Sequence, residues 1–144
     1  MSWNTIARVD PVANACPVDG VRVSTWGMGK DGAGKRGYIA IQIGSTLAAK
    51  MGFAAEAVSV RLMMGSDNNA GKLAIVLDPT GGFQAKGKPG KGYRIAVGLR
   101  SAAQAGLATE FPGFDRAGIE VIKPENGQPR MFSFLLTRQA IAAE

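Results

Sequence analysis

Short alternating apolar segments, glycine-rich connections and an element order that occurs twice predict a mainly β (α+β) chain with short helices. The expected architecture is two tandem strand–loop–strand–helix–strand–strand repeats forming one β-barrel-like domain. Three observations carry this. The chain has 20 glycines and 7 prolines in 144 residues, which favours many turns and short strands. Its apolar segments alternate with period two over four to six residues. The first half also aligns on the second at an offset of 54, placing Ile41 on Ile95, Ile43 on Val97, Gly44 on Gly98 and Gly52 on Gly106.

The elements follow in order. Residues 1–19 read as an N-terminal arm, broken by Asp10-Pro11 and Cys16-Pro17, with Trp3 and Ile6 expected to dock it on the body. Residues 20–80 form the first repeat. Val21-Arg22-Val23-Ser24-Thr25-Trp26 alternates and reads as a strand. The basic loop Gly27 to Gly37 follows, and Tyr38 to Ile43 is the next strand, with Ile39, Ile41 and Ile43 on one face. Ser45 is the expected N-cap of a helix over Thr46–Met51, stopped by Gly52 with Phe53 packing beneath the stop. Val58–Leu62 and Lys72–Leu77 are strands around a polar Gly65–Gly71 turn.

Residues 81–144 form the second repeat, packed as one domain with the first. A short segment at Phe83-Gln84-Ala85 precedes a second basic loop, Lys86 to Gly92. Tyr93–Val97 is a strand, and Ser101–Ala105 a helix stopped by Gly106 with Leu107 after it. A seven-residue insertion at Thr109–Asp115 then shifts the frame. Ile119–Ile122 and Met131–Leu136 are strands around the Pro124–Pro129 turn, and the tail from Thr137 offers a last helical turn.

Charge sharpens the functional reading. The net charge is +6, and it is concentrated. Residues 20–55 hold five basic residues and one acid, and residues 79–109 hold five basic residues and no acid. Clustered cations attract polyanions because each neutralised phosphate releases counterions. The loops supply Lys30, Lys35, Arg36, Lys86, Lys88 and Lys91, with Arg94 just inside the following strand. Guanidinium groups offer a planar fork for bases or bidentate phosphates, so Arg36 and Arg94 lead the list. Trp26, Tyr38 and Tyr93 flank the loops, where aromatics would stack on unpaired bases.

Several chemistries are excluded or unsupported. Gly29-Lys30-Asp31-Gly32-Ala33-Gly34-Lys35-Arg36 matches the first seven positions of phosphate-loop spacing. Arg36, however, stands where a Ser or Thr would hold magnesium, and a β-like run follows where a helix is needed. There is no histidine, so His-dependent triads and His metal sites are excluded. No catalytic residue, metal or cofactor is expected, and the chain does not read as an enzyme. The single Cys16 allows no intrachain disulfide. No apolar run approaches the ~20 residues of a membrane helix, and the N-terminus lacks a signal-peptide layout. A soluble cytoplasmic protein without membrane association is the expectation.

The first copy resembles the AbrB-like swapped-hairpin DNA-binding family. The match lies in Arg36-Gly37-Tyr38-Ile39-Ala40-Ile41-Gln42-Ile43, Leu47-Ala48-Ala49-Lys50-Met51-Gly52-Phe53, Val58-Ser59-Val60-Arg61-Leu62 and Leu73-Ala74-Ile75-Val76-Leu77. A looser second copy runs from Gly92 to Leu136. Two tandem copies are similar to the MraZ arrangement, a built-in pseudo-dimer. The resemblance implies an interleaved barrel, with DNA contacts at Lys35, Arg36, Lys91 and Arg94. The leading expectation is therefore a duplex-DNA-binding transcriptional regulator using two basic loops, with DNA as the favoured partner and self-association open. The alternatives are a single-stranded DNA or RNA binder using aromatic stacking, and a viral structural or assembly protein.

Overall fold

The computed structural model describes residues 3, 5, 16–26, 37–108, 110–122 and 129–142. The first basic loop apart from Gly37, most of the N-terminal arm and most of the Pro124–Pro129 turn lie outside the described residues. Trp3 is exposed, so it does not dock as expected.

The described residues form eight strands: β1 (Val21–Trp26), β2 (Tyr38–Ile43), β3 (Ala57–Met64), β4 (Lys72–Leu77), β5 (Phe83–Lys88), β6 (Gly92–Gly98), β7 (Phe114–Arg116) and β8 (Met131–Leu135). Helix α1 (Ser45–Lys50) follows β2 and helix α2 (Leu99–Ala105) follows β6. A 3-10 turn over Arg138–Ala140 takes the place of the expected last helical turn. The strands form one antiparallel sheet, in the order β7-β1-β2-β6-β5-β3-β4-β8, curled into a nearly closed barrel. At the seam Ile122 exchanges backbone hydrogen bonds with Met131, at 2.7 and 3.3 Å, and Arg116 Nε donates to the Leu135 carbonyl at 2.8 Å. Inward residues from both halves share one core, with Ile41, Val60, Ile75, Ile95 and Phe132 fully buried.

The register reproduces the repeat. In the β2–β6 ladder Ile41 faces Ile95, its own counterpart at the offset of 54. In the β4–β8 ladder Ala74 faces Ser133, and Leu73 and Ile75 face Phe134 and Phe132. A pseudo-two-fold axis therefore passes through both pairs. The helices stop identically. Gly52 donates to Ala49 and Phe53 to Ala48, while Gly106 donates to Ala103 and Leu107 to Ala102. Gly52 and Gly106 have φ of 79° and 87°, the left-handed conformation this stop requires.

The structure corrects several expectations. Gly44, not Ser45, is the N-cap of α1, and the Val18 carbonyl takes the free amides of Thr46 and Leu47 at 2.9 and 3.1 Å. The second basic loop is largely strand. Lys86 and Lys88 lie on β5, and only Pro89, Gly90 and Lys91 connect it to β6. Pro89 followed by Gly90 at φ 82° makes a type II turn, closed by Lys91 N–H to the Lys88 carbonyl at 3.0 Å. The sequence shows Lys-Gly-Lys-Pro-Gly as one flexible run, because glycine and proline are turn residues whether or not strand pairing extends to them. Ile119–Ile122 is not a strand. The strand that pairs β1 is Phe114–Arg116, with Val21 facing Arg116 and Val23 facing Phe114. By register Val58 and Val60 correspond to Phe114 and Arg116, so the insertion before β7 is about two residues instead of seven. A three-residue strand holding Asp and Arg has too little alternation to stand out.

The stop at Gly106 gives a clean test. A Cβ there would meet nothing within 4 Å, so only the positive φ opposes a side chain. Gly106→Ala should destabilise by about 1–2 kcal/mol in urea denaturation. Gly82→Ala, also in open space but without a positive φ, should be neutral or stabilising by up to about 1 kcal/mol.

Candidate nucleic-acid interface

Alternation along β1, β2, β6 and β5 turns Val21, Val23, Ile39, Ile41, Ile95 and Ala85 inward. The residues between them form a continuous outer face. One transverse row runs in register across it: Asp115 faces Arg22, Arg22 faces Gln42, Gln42 faces Arg94, and Arg94 faces Lys86. Two adjoining open grooves, of about 530 and 520 Å³, share Lys86 and Arg94 along their walls.

At one end of this face Trp26 and Tyr38 are cross-strand partners. Trp26 is 51% exposed and its indole N–H donates to Ser24 Oγ at 2.7 Å. Arg94 reaches across from β6. Its guanidinium carbon lies 5.6 Å from the Trp26 ring centre and 5.2 Å from that of Tyr38, and an Nη donates to the Tyr38 hydroxyl. Cation–π attraction of this kind contributes about 0.5–2 kcal/mol. The buried Nε of Arg94 has no hydrogen-bond partner among the described residues. At the other end stand Lys88 and Lys91, exposed beside the turn. Among the described residues no carboxylate forms a salt bridge with Lys86, Lys88, Lys91 or Arg94.

Arg22 is held differently. Its Nε and Nη2 grip both Asp115 oxygens at 2.7 and 2.9 Å, a bidentate pair that ties β1 to β7. The Arg22 hydrogen bond holds the Asp115 carboxyl below its usual range, against the opposing effect of burial. Beside it, Cys16 donates weakly to the Gln42 carbonyl at 3.5 Å. Burial pushes its thiol upward, which suits packing better than nucleophilic chemistry.

The predicted residues divide into three groups. Trp26, Tyr38, Lys86, Lys88, Lys91 and Arg94 share or border the outer face. Lys30, Lys35 and Arg36 lie outside the described residues. Tyr93 does not belong with them. It is 4% exposed, packs edge-on against Phe53 at 5.1 Å and donates its hydroxyl to the Ala55 carbonyl at 2.6 Å. Parity separates the tyrosines: Tyr93 is in phase with inward Ile95 and Val97, whereas Tyr38 is out of phase with inward Ile39 and Ile41. The two connections also leave opposite ends of the β2–β6 pair, because Tyr38 faces Gly98 and Ile43 faces Tyr93. Six residues of strand separate those ends by roughly 20 Å. Gln42 and Arg22 also lie on the polar face, to which the same period-two phase assigns them.

Among the described residues no cluster of three or more acidic or Cys side chains could hold a metal, and no helix is long and apolar enough to cross a membrane. No family model, no curated protein and no solved structure matches the chain.

The Arg22–Asp115 pair carries a pH signature. A carboxyl whose folded pKa is depressed adds stability above its unfolded value of about 3.9, and that stability is lost as pH falls through the folded pKa. Asp115→Asn should cost under about 1 kcal/mol at pH 7, because the pair is partly exposed. The gap from the unmutated chain should close as pH falls below the depressed value, read by urea denaturation down to about pH 2.

Proposed function

We propose that the chain binds nucleic acid through the outer face of β1, β2, β6 and β5, favouring a single strand. The observation that carries this reading is the Trp26–Tyr38–Arg94 cluster, an exposed indole beside a guanidinium whose buried Nε has no partner among the described residues, with Arg94 lining two adjoining grooves that also hold Lys86 and Lys91. In this reading an unpaired base stacks on Trp26, Arg94 supplies a donor to the base or its phosphate, and the lysines track the backbone. A face of roughly 20 Å suits the short end of the ~4–16-nucleotide sites of single-strand binders.

Asymmetry favours a single strand over a duplex. Counterparts under the pseudo-two-fold follow from the register: Trp26 facing Tyr38 corresponds to Lys88 facing Gly92. One end of the face is aromatic and the other cationic, so the two halves present different chemistry. A two-fold-related pair of duplex contacts would need like residues at both ends. The duplex-binding regulator implied by the AbrB-like element order remains the second reading, supported by the tandem pseudo-dimer.

Titration with oligo-dT at two salt concentrations should quench Trp26 fluorescence, with affinity falling as salt rises. Trp3→Phe isolates the Trp26 signal. Trp26→Ala or Arg94→Ala should each weaken binding about tenfold or more with little change in melting temperature. Tyr93→Phe should leave affinity unchanged. Absence of oligo-dT binding at low salt would overturn the single-strand reading, and tighter binding of duplex would transfer the reading to the regulator.

A further inference from the structure

The pseudo-two-fold makes each half of the barrel a control for the other, and the two ends differ in how they are filled. Helix α1 packs against β6 and sends Leu47 and Met51 into the core, both 0% exposed. Their counterparts on α2, at the offset that pairs Ile41 with Ile95, are Ser101 and Ala105, and both are exposed. Ala48 and Ala102 match and both are buried, as do Phe53 and Leu107, so the helices sit alike and only the plugging side chains differ.

The missing side chains leave a cleft of about 360 Å³ between α2 and the ends of β3, β5 and β6, near the small end of the ~300–1,000 Å³ range of ligand sites. Its floor is apolar: Leu62, Met64, Leu73, Phe83, Val97 and Leu107. Leu62, Met64 and Phe83 pack on the core yet stay half-exposed, whereas Val21, the counterpart of Phe83, is fully buried at the filled end. Among the described residues the polar side chains at the cleft are Ser101 and Gln104, both on α2, and no charged side chain lines it.

We infer that this cleft is a binding site for a small, neutral, mainly apolar molecule that carries one hydrogen-bonding group. The apolar body takes the space that Leu47 and Met51 occupy at the other end. The hydroxyl of Ser101 or the amide of Gln104 meets its polar group. An ionic ligand would leave water without a partner charge, at a cost of several kcal/mol. The cleft shares Phe83 with one groove of the outer face, but the inference rests on the empty helix positions and not on nucleic-acid binding.

The test uses the sister helix as template. The neutral fluorophore N-phenyl-1-naphthylamine should bind the unmutated chain saturably, one per chain, with a blue shift and enhanced emission. Ser101→Leu with Ala105→Met should weaken that binding at least tenfold and raise the melting temperature by a few degrees. If circular dichroism shows the double variant unfolded, Ala105→Met alone is compared, with the same expected loss. No saturable enhancement in the unmutated chain, or equal binding in the filled variant, overturns the proposal. So does a dimer that forms without probe uptake and dissociates in the filled variant, since a second copy would then be the occupant.

Discussion

The pairing of β2 with β6 is the constraint on which the structure depends. With Ile41 opposite Ile95, each repeat lays its central strand against its own counterpart, and every further ladder is built outward from that pair. A slip of one residue would turn Ile39, Ile41 and Ile43 to solvent. Each fully buried side chain of this kind contributes about 1.5–3 kcal/mol. Against a total stability of about 5–15 kcal/mol for a domain, such a slip is not a competing state. The two glycine stops then bring Phe53 and Leu107 into the core at equivalent points.

Around this symmetric centre the halves diverge. β3 pairs β5 with one end and β4 with the other, an unbroken bridge across the barrel. Its counterpart pairs β1 over Phe114–Arg116, then touches that side only through the Ile119 N–H to the Asp19 carbonyl at 3.0 Å and meets β8 by a single bridge at Ile122. Arg116 covers the resulting seam, its guanidinium 4.7 Å from the Phe114 ring and its Nε on the Leu135 carbonyl. The aromatic pair Trp26–Tyr38 has Lys88 and Gly92 as counterparts, and the plugging Leu47 and Met51 have Ser101 and Ala105. Divergence thus falls on outer faces and on the barrel mouth, where no partner side chain dictates shape. The central pairs keep residues of like kind because each must fit the other.

Legibility followed the same division. β1, β2, β4 and β6 alternate strongly, and both helices end on a glycine followed by an apolar residue, so sequence alone located them. β5 is hard to bound from sequence because its second half reads Lys-Gly-Lys, which resembles a loop until the partner strand is known. β7 escaped because three residues cannot display a period. At the candidate interface the lysines and Arg94 were visible as charge and Trp26 as an aromatic beside it. Tyr93 follows a glycine beside the lysines, which suggests the surface, whereas its phase with Ile95 and Val97 assigns it to the core.

Sequence by itself determined the class of fold, the repeat, its offset at the central strands and helices, and the enrichment of cations in two windows. These are properties of local pattern: alternation, glycine stops and charge count need no partner to be read. Tertiary structure decided which cations share a face, that the two connections leave opposite ends of the β2–β6 pair, and that Arg94 meets Trp26 and Tyr38. It also decided that one barrel end is filled and the other open. Each of these depends on strand order and register across residues more than fifty positions apart, which only the packed core sets.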